Sequence, residues 1–319
     1  MGPRPRVDQA DGAAMSDWRP QRALEIVAGT PPGGGLDRSA RALARAIEAD
    51  RLVDVPVHVV NVGGDGGRKA WLHMDGRGKD GHVVGISSPN MTADYLMGVT
   101  SADPARFPPL AMLYSEYIAF VVPGDSALRS GADLIRVLAA DAARVHIALS
   151  TSLGNSNHVA VAKVIRHAGA DTRAPRIRVF DTALDAVADV VAGNADVGAI
   201  TAASAVPELA AAMLRAIGIS APARLSGTYA TVPTWVEQGV DCTIGSWRGV
   251  SAAPGLGDGP IAFWQRLLGA AVRSAPWRDE LARHFWTDMY LEGAMLRDHL
   301  ARERNEMRMV LNGLGLMPS

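Results

Sequence analysis

The residues of this sequence best suited to chemistry lie in the loop Thr30-Pro-Pro-Gly-Gly-Gly-Leu-Asp37. Its prolines fix the backbone after an apolar run, and its glycines lack Cβ atoms, so their N–H groups can face a ligand closely. A glycine-rich turn that leads into a helix is a typical anion site. We therefore predict ligand contacts from Pro32, Gly33, Gly34 and Gly35. The alternative is a turn that uses glycine for its geometry alone.

Two further loops carry hydroxyl and amide side chains between an apolar run and a helical pattern, Ser150 to His158 and Ser87 to Thr92. In α/β folds such loops meet at the carboxyl ends of the strands, where ligands bind. The side chains predicted to bind a ligand there are Ser88, Asn90, Ser152, Asn155, Ser156 and His158. Helix capping is the alternative role for Ser and Asn, and we interpret His158 first as a residue that ties down its loop.

The sequence carries few signs of catalysis. Its eight histidines form no HxxxH pair and its single cysteine, Cys242, has no CxxC partner, so no metal site is expected. The glycine-rich loop matches neither a P-loop nor GxGxxG. The stretch Gly245-Ser-Trp-Arg-Gly249 lacks the glycine that precedes the serine of a nucleophile elbow by two residues. We predict no cofactor and no catalytic residue.

Composition argues against two classes of partner. The chain has 319 residues, 48% of them apolar, and a net charge of −1 without a basic stripe, so nucleic acid is not expected to bind. No apolar run reaches the about 18 residues of a spanning helix, so the protein is not expected to cross a membrane itself. Residues 1–22 are polar, lack the apolar core of a secretory signal and are predicted to form a disordered arm. Either the chain stays inside the cell or its leader was lost or replaced.

Short β-branched runs alternate with helical patterns and predict an α/β fold. The predicted strands form two series, residues 24–27, 57–60, 83–86 and 118–122, then residues 145–149, 177–180, 197–200 and 216–219. An apolar stripe at helical spacing runs from Leu36 to Ile47 between the first two strands, which predicts a right-handed βαβ unit. Helical patterns end the chain. Two α/β series followed by helices predict two lobes.

Six short stretches of the sequence match one set of motifs in order. They are Thr30-Pro-Pro-Gly-Gly-Gly-Leu-Asp37, Asn61-Val-Gly-Gly-Asp-Gly-Gly67, Asp80-Gly-His82, Ser152 to His158, Val232-Pro-Thr-Trp-Val-Glu-Gln-Gly239 and Ser246-Trp-Arg-Gly-Val-Ser-Ala-Ala-Pro254. These stretches resemble the FPPGGGTD, NRPGAGG, DGY, serine- and glycine-rich, VPTxxExG and WxGxxAP segments of one family. That family is the solute-binding proteins of tripartite tricarboxylate transporters, the TctC or Bug family. The resemblance covers about residues 23–318.

The resemblance implies a two-lobed, type II periplasmic-binding-protein-like fold, a Venus flytrap with mostly parallel sheets flanked by helices. Lobe one would hold residues 23–121 and 250–319, and lobe two residues 122–249, with crossings at Pro123–Asp125 and Trp247–Pro254. The implied function is a periplasmic solute-binding protein that captures a small organic carboxylate between its lobes for membrane permease subunits. Family members bind carboxylates through main-chain amides, hydroxyls and water, often without a direct arginine.

Departures from the family pattern add one candidate residue and two alternative functions. Asp181 lies in Val179-Phe-Asp-Thr182, where the family's PYKG motif has a lysine, so we include Asp181 among the predicted ligand-binding residues. The secretory leader of the family is not present in this sequence. The alternatives are a cytoplasmic enzyme or a ligand sensor built on the same fold, since fold alone does not fix function. In the enzyme, which we favour less, Asp181 or His158 would be the candidate base.

Overall fold

The computed structural model of the protein describes residues 18–318. Of the predicted arm, residues 1–17 lie outside the described residues, and residues 18–22 are packed against the body of the protein. The ring of Trp18 meets the rings of His82 and Phe263 edge-on, and Arg22 forms an ion pair with Asp80 at 2.6 Å. The prediction of disorder is therefore wrong for residues 18–22, because a tryptophan ring in contact with two other rings buries a large apolar area.

The described residues contain strands in two series, joined and followed by helices. The strands are β1 Leu24–Ala28, β2 Val57–Asn61, β3 Val83–Ser87, β4 Pro109–Pro123, β5 His146–Ser150, β6 Arg176–Phe180, β7 Val197–Thr201, β8 Leu214–Ile219, β9 Gly245–Ala252 and β10 Thr287–Leu291. The α-helices are α1 Gly35–Ala49, α2 Arg68–Gly76, α3 Pro89–Leu96, α4 Gly131–Asp141, α5 Ser156–His167, α6 Ala183–Val191, α7 Val206–Ala210, α8 Asp258–Arg273, α9 Ala275–His284 and α10 Gly293–Gly313. The predicted strands are all present, with ends shifted by a few residues except in β4.

The first lobe is built on a sheet with the order β2-β1-β3-β9-β4, to which β10 adds by pairing with β4. β1 pairs parallel with both β2 and β3, so α1 is the crossover helix of the predicted βαβ unit. The apolar stripe of α1 places Leu43 and Ile47 in a core that also contains Trp264 and Trp277 from the C-terminal helices. Burial of this stripe holds the first turn of α1 at a fixed position above the sheet.

The second lobe is built on a sheet in which β5 pairs parallel with β6 and β7, and β4 pairs antiparallel with β7 and β8. Its two apolar clusters share no residue with the core of the first lobe, although β4 contributes to both lobes, through Leu110 to Tyr114 in the first and Ile118 to Val122 in the second. The ring of Trp235 meets the ring of Phe120 edge-on in one of them, with the centroids 4.8 Å apart. Each lobe thus has a core of its own.

Strand β4 connects the two sheets. Its residues up to Tyr117 pair with β9 in the first sheet, and those from Ile118 onward pair with β7 and β8 in the second. The chain returns to the first sheet where β9 begins, at Gly245. The pairing therefore changes near residue 117, six residues before the predicted crossing at Pro123–Asp125, and at Gly245, two residues before the predicted crossing at Trp247–Pro254. The predicted limits of the lobes stay a prediction.

One detail of the predicted architecture is wrong, because the sheets are not mostly parallel. Every pairing of β4, and the pairing of β3 with β9, is antiparallel. The parallel pairings are those that β1 and β5 make with their neighbours. The reason is that β4 and β9 run between the lobes, where no crossover helix sets their direction, whereas β1 to β3 and β5 to β7 are linked through helices.

Candidate functional site

A narrow cavity of about 40 Å³ lies where strands of both sheets end and the first turns of helices begin. Gly35 of α1, Asn90 of α3, Ser156 of α5 and Ala183 of α6 all line it, and each belongs to the first turn of its helix. The first turn of a helix leaves N–H groups without intrahelical acceptors and carries a partial positive charge. Four such turns around one cavity favour an anion there.

The glycine-rich loop offers fewer free donors than its sequence suggests. The N–H of Gly33 donates to Asp37 Oδ2 at 2.8 Å, and the N–H of Gly34 donates to the carbonyl of Pro31 at 3.0 Å. The N–H groups of Gly35 and Leu36 have no acceptor among the described residues, and both residues line the cavity. Of the predicted glycine donors, Gly35 is therefore the one available to a ligand.

Asp37 braces this loop from below. Its carboxylate accepts hydrogen bonds from the Gly33 N–H, from Asn61 Nδ2 at 2.9 Å and from Arg41 Nε at 2.9 Å, and only 2% of the residue is exposed. Burial by itself would raise the pKa of Asp37, but the hydrogen bonds from Arg41, Gly33 and Asn61 outweigh it and hold the pKa below its usual value. Asp37 is thus ionised, and its carboxylate stabilises the conformation of the loop rather than contacting the cavity.

The loop between β5 and α5 is braced by its own side chains. Asn155 caps α5 by accepting from the His158 N–H at 3.0 Å, and its Nδ2 donates to the carbonyl of Ser150 at 2.7 Å. The Nδ1 atom of His158 accepts from the Gly154 N–H at 2.9 Å. Burial lowers the pKa of His158 to about 4, so the ring is neutral at pH 7 and suited to accept this hydrogen bond. His158 braces the loop and does not line the cavity.

Arg38 brings a positive charge to the cavity. Its Nη1 donates to the carbonyl of Gly33 at 2.9 Å, and its Nη2 donates to the hydroxyl of Ser204 in the second lobe at 2.7 Å. Its Nε is buried and has no hydrogen-bond partner among residues 18–318, and the side chain forms no ion pair there. This half-buried guanidinium is the uncompensated cation of the cavity wall.

Arg248 is a second guanidinium on the wall, but its charge is neutralised. Its Nη2 lies 2.5 Å from Glu116 Oε1, and Nη1 donates to the hydroxyl of Ser246 at 2.7 Å. The side chains of Arg248 and Glu116 are 9% and 2% exposed. The Nε of Arg248 is buried without a partner in the described part of the chain, so it can still donate one hydrogen bond.

A wider groove of about 400 Å³ continues outward from the cavity. Thr30, Gly66, Thr151 and Asp181 line both spaces, which makes the cavity and the groove one continuous cleft. The carboxylate of Asp181 is exposed and forms no ion pair with the described residues. The neighbouring base, Arg178, pairs instead with Asp189 at 2.8 Å.

Most of the predicted ligand-binding residues surround this cleft. Those that line the cavity are Gly34, Gly35, Ser88, Asn90, Asn155, Ser156 and Asp181. Pro32 lines the outer groove. Gly33, Ser152 and His158 line neither space, and the Ser152 hydroxyl is buried without a hydrogen-bond partner in the described part of the chain. Their role in ligand binding stays a prediction.

Sequence reasoning missed the two arginines, although their spacing offers a signal. Arg38 is three residues after Gly35, which places both on one face of α1. Arg248 and Ser246 alternate along β9 and therefore point to the same side of the sheet, and both line the cavity. Finding Arg248 from sequence would have required β9 to be predicted as a strand.

Two further observations concern what the described part of the chain contains. Within residues 18–318, no group of three or more His, Cys, Asp or Glu side chains is arranged to hold a metal ion. None of the helices in this range combines the length and the apolar character needed to cross a membrane.

Two sheets with separate cores and a cleft between them define a two-lobed periplasmic-binding-protein fold, which confirms the predicted class. Rpa4515 of R. palustris, solved with adipate, superposes with a TM-score of 0.85 at 20% identity, over 94% of this chain and 99% of that one. The periplasmic binding protein BugD superposes with a TM-score of 0.82 at 17% identity, over 94% of this chain and 100% of that one. A TctC solute-binding protein from Polaromonas superposes with a TM-score of 0.66 at 23% identity, over 92% of this chain and 99% of that one.

The predicted resemblance to the TctC and Bug solute-binding proteins is thus confirmed at the level of the fold. At the sequence level, the chain is 27% identical over 259 residues to the "UPF0065 protein in tcbD-tcbE intergenic region" of Pseudomonas sp. strain P51. That match covers 80% of this chain and 74% of the relative. No family model matches the sequence.

Proposed function

We propose that this protein is a solute-binding protein that holds a small organic carboxylate in the cleft between its lobes. The observation that carries the proposal is Arg38, a half-buried guanidinium on the cavity wall with no carboxylate partner among residues 18–318. An arginine in such a position is costly without an anion, and a carboxylate is the anion whose shape matches a guanidinium best.

In this proposal the ligand carboxylate accepts hydrogen bonds from Arg38 Nε, from the N–H groups of Gly35 and Leu36, and from the hydroxyl of Ser88. All four residues line the cavity, and these donors have no acceptor among the described residues. On the second lobe, the first turns of α5 and α6 complete the site with the N–H groups of Ser156 and its neighbours. Charge-assisted hydrogen bonds and helix N-termini then act on the same group.

The comparisons support the same class of ligand. Rpa4515, which shares the fold over 94% of this chain, was solved with adipate, a small dicarboxylate. At 20% identity this likeness concerns the fold, so the ligand class of this protein rests on the cavity itself. From the family we expect a carboxylate to be held mostly by main-chain N–H groups, and we infer that Arg38 adds a direct hydrogen bond to the ligand here.

We further propose that the lobes close on the ligand and present it to permease subunits of a tripartite tricarboxylate-type transporter in the periplasm. The hinge of this movement lies where strand pairing changes, near residues 117 and 245. In this proposal residues 118–244 form the second lobe, and the rest of the chain from residue 23 forms the first. Support for the location is that BugD is a periplasmic binding protein.

The proposal is tested by calorimetry and thermal unfolding with a panel of small mono- and dicarboxylates at neutral pH. A ligand at a hundred times its Kd stabilises the protein by about 2.7 kcal/mol. Arg38→Gln is expected to lower the affinity about tenfold to a hundredfold, because a hydrogen bond to a charged group is lost. Exposed Arg297 on α10 provides the control, since Arg297→Gln should leave the affinity unchanged. Failure of every carboxylate to bind, or wild-type affinity in Arg38→Gln, would overturn the proposal.

A further inference from the structure

The ionisable side chains that line the cleft carry charges of both signs. Three ionisable side chains line the cavity and the groove, Arg38, Arg248 and Asp181. Arg248 is neutralised by Glu116. Arg38 and Asp181 have no ion pair with the described residues. One positive and one negative charge are thus left without a partner along a single cleft.

Other charges close to the groove are compensated within the protein. Arg68 lies beside Gly66 and pairs with Asp94 at 3.2 Å. Lys69 lies beside Gly64 and pairs with Asp65 at 3.8 Å. In the groove itself, Asp181 is the one ionisable side chain among the described lining residues, which are otherwise mostly glycine, proline, threonine and asparagine. A ligand that extends into the groove therefore meets one carboxylate among side chains that carry no charge.

We propose that the cleft selects a zwitterionic amino acid, with its carboxylate at Arg38 and its ammonium group at Asp181. This inference rests on the proposed function, whose ligand class it narrows. The ammonium group donates to the Asp181 carboxylate, whereas the second carboxylate of a dicarboxylic acid would face a charge of its own sign. A monocarboxylate with an uncharged tail would leave the Asp181 carboxylate without a partner, so Asp181 would add nothing to its affinity.

Matched ligand series measure this preference by calorimetry at pH 7. Each of several α- and ω-amino acids is compared with the dicarboxylate that has a carboxylate in place of the ammonium group, and with the parent monocarboxylate. At least one amino acid is expected to bind about tenfold or more tightly than both of its matches, the effect of one charged hydrogen bond. Asp181→Asn should remove this difference.

The control variant is Asp258→Asn, which changes an exposed aspartate in the first turn of α8, away from the cleft. It should keep the wild-type ranking. Dicarboxylates that bind as tightly as their amino acid matches would overturn the inference, as would a ranking that survives in Asp181→Asn. If in either case Arg38→Gln still weakens binding, the proposed carboxylate function stands and only the zwitterion is rejected. Absence of binding by every carboxylate, zwitterionic or not, would reject both.

Discussion

At the scale of single residues, a side chain would be unfavourable at Gly34 and at Gly35 for different reasons. A Cβ atom built on Gly34 would lie 2.6 Å from both Cβ and Oγ1 of Thr30, inside the loop itself. A Cβ atom built on Gly35 would lie 3.7 Å from Arg248 Nη2, an ordinary contact on the cavity side. Gly34 therefore serves the conformation of the loop, and Gly35 leaves room for a ligand.

We predict that Gly35→Ala lowers ligand affinity about tenfold or more at an unchanged melting temperature, because a methyl group enters a cavity of about 40 Å³. Gly34→Ala is the matched comparison and is expected to lower stability by about 1–3 kcal/mol through overlap with Thr30. Calorimetry and denaturant unfolding of both variants separate the two effects. Equal behaviour of the two variants in both measurements would contradict these roles.

The buried ion pair of Arg248 and Glu116 gives a second prediction at this scale. Arg248→Met leaves the Glu116 carboxylate buried and unpaired, which is expected to cost about 3–5 kcal/mol of stability. Changing Glu116 to Leu as well removes the stranded charge and should restore most of the loss. Urea unfolding of the two single variants and the double variant measures the coupling. A double variant as unstable as Arg248→Met would show that the pair is not the source of the loss.

At the scale of elements, β9 separates two cavities by the alternation of its side chains. Ser246 and Arg248 line the narrow cavity of about 40 Å³, whereas Gly245 and Trp247 line a second cavity of about 650 Å³ between β4, β9, α5 and α10. The Nε1 of Trp247 donates to Glu303 Oε1 on α10 at 2.5 Å. The C-terminal helix is thereby hydrogen-bonded to β9, which pairs with β4.

The burial of Glu303 predicts a pH dependence of stability. Burial raises the pKa of Glu303 to about 7, with the hydrogen bond from Trp247 opposing the shift and the charge of Glu306 adding to it. Because this pKa lies above the unfolded value of about 4.5, the contribution of Glu303 to stability is full below pH 4.5 and is lost as the pH rises through 7. The free energy of unfolding should therefore fall less steeply from pH 4.5 to 7.5 in Glu303→Gln than in the wild type. Parallel pH profiles would contradict the prediction.

At the scale of the whole molecule, a few side-chain hydrogen bonds join the lobes across the cleft. Arg38 Nη2 donates to Ser204 Oγ at 2.7 Å, and Asn90 Nδ2 donates to Thr151 Oγ1 at 3.1 Å. Each such hydrogen bond contributes about 1 kcal/mol to the closed arrangement. When the lobes move apart about a hinge, hydrogen bonds to water can replace them at a small cost. The lobes are therefore expected to sample open and closed arrangements, with the ligand favouring the closed one.

We predict that a bound ligand reduces the radius of gyration measured by small-angle scattering, and that the Asn90→Ala/Ser204→Ala variant is more open than the wild type when empty. The reason is that the hydrogen bonds from Arg38 to Ser204 and from Asn90 to Thr151 are lost, while each core is untouched. Arg224→Ala breaks an exposed ion pair with Glu237 inside the second lobe and serves as the control. The same scattering curve for empty, occupied and variant protein would contradict the closure.

Local pattern predicted much of the fold, but it missed β9 and residues 109–117 of β4. The parallel strands β1 to β3 and β5 to β7 each coincide with a run of β-branched and apolar residues, so the local pattern was sufficient to predict them. Strand β9, Gly-Ser-Trp-Arg-Gly-Val-Ser-Ala, contains glycine and serine that are unfavourable in strands, and pairing with β3 and β4 overrides that preference. Pairing partners far along the chain likewise decide where β4 changes sheets, and a local pattern does not contain them.

The sequence by itself determined the α/β class, the loops that surround the cleft and their resemblance to the TctC and Bug proteins. These features depend on short spacings of glycine, proline, serine and apolar residues, which act within a few residues of one another. Only the tertiary structure decided which charges are free. Arg38 reaches Ser204 across 166 residues, and Arg248 is neutralised by Glu116 across 132 residues. The electrostatics of a buried site depend on such distant partners, so they emerge only when the chain has folded.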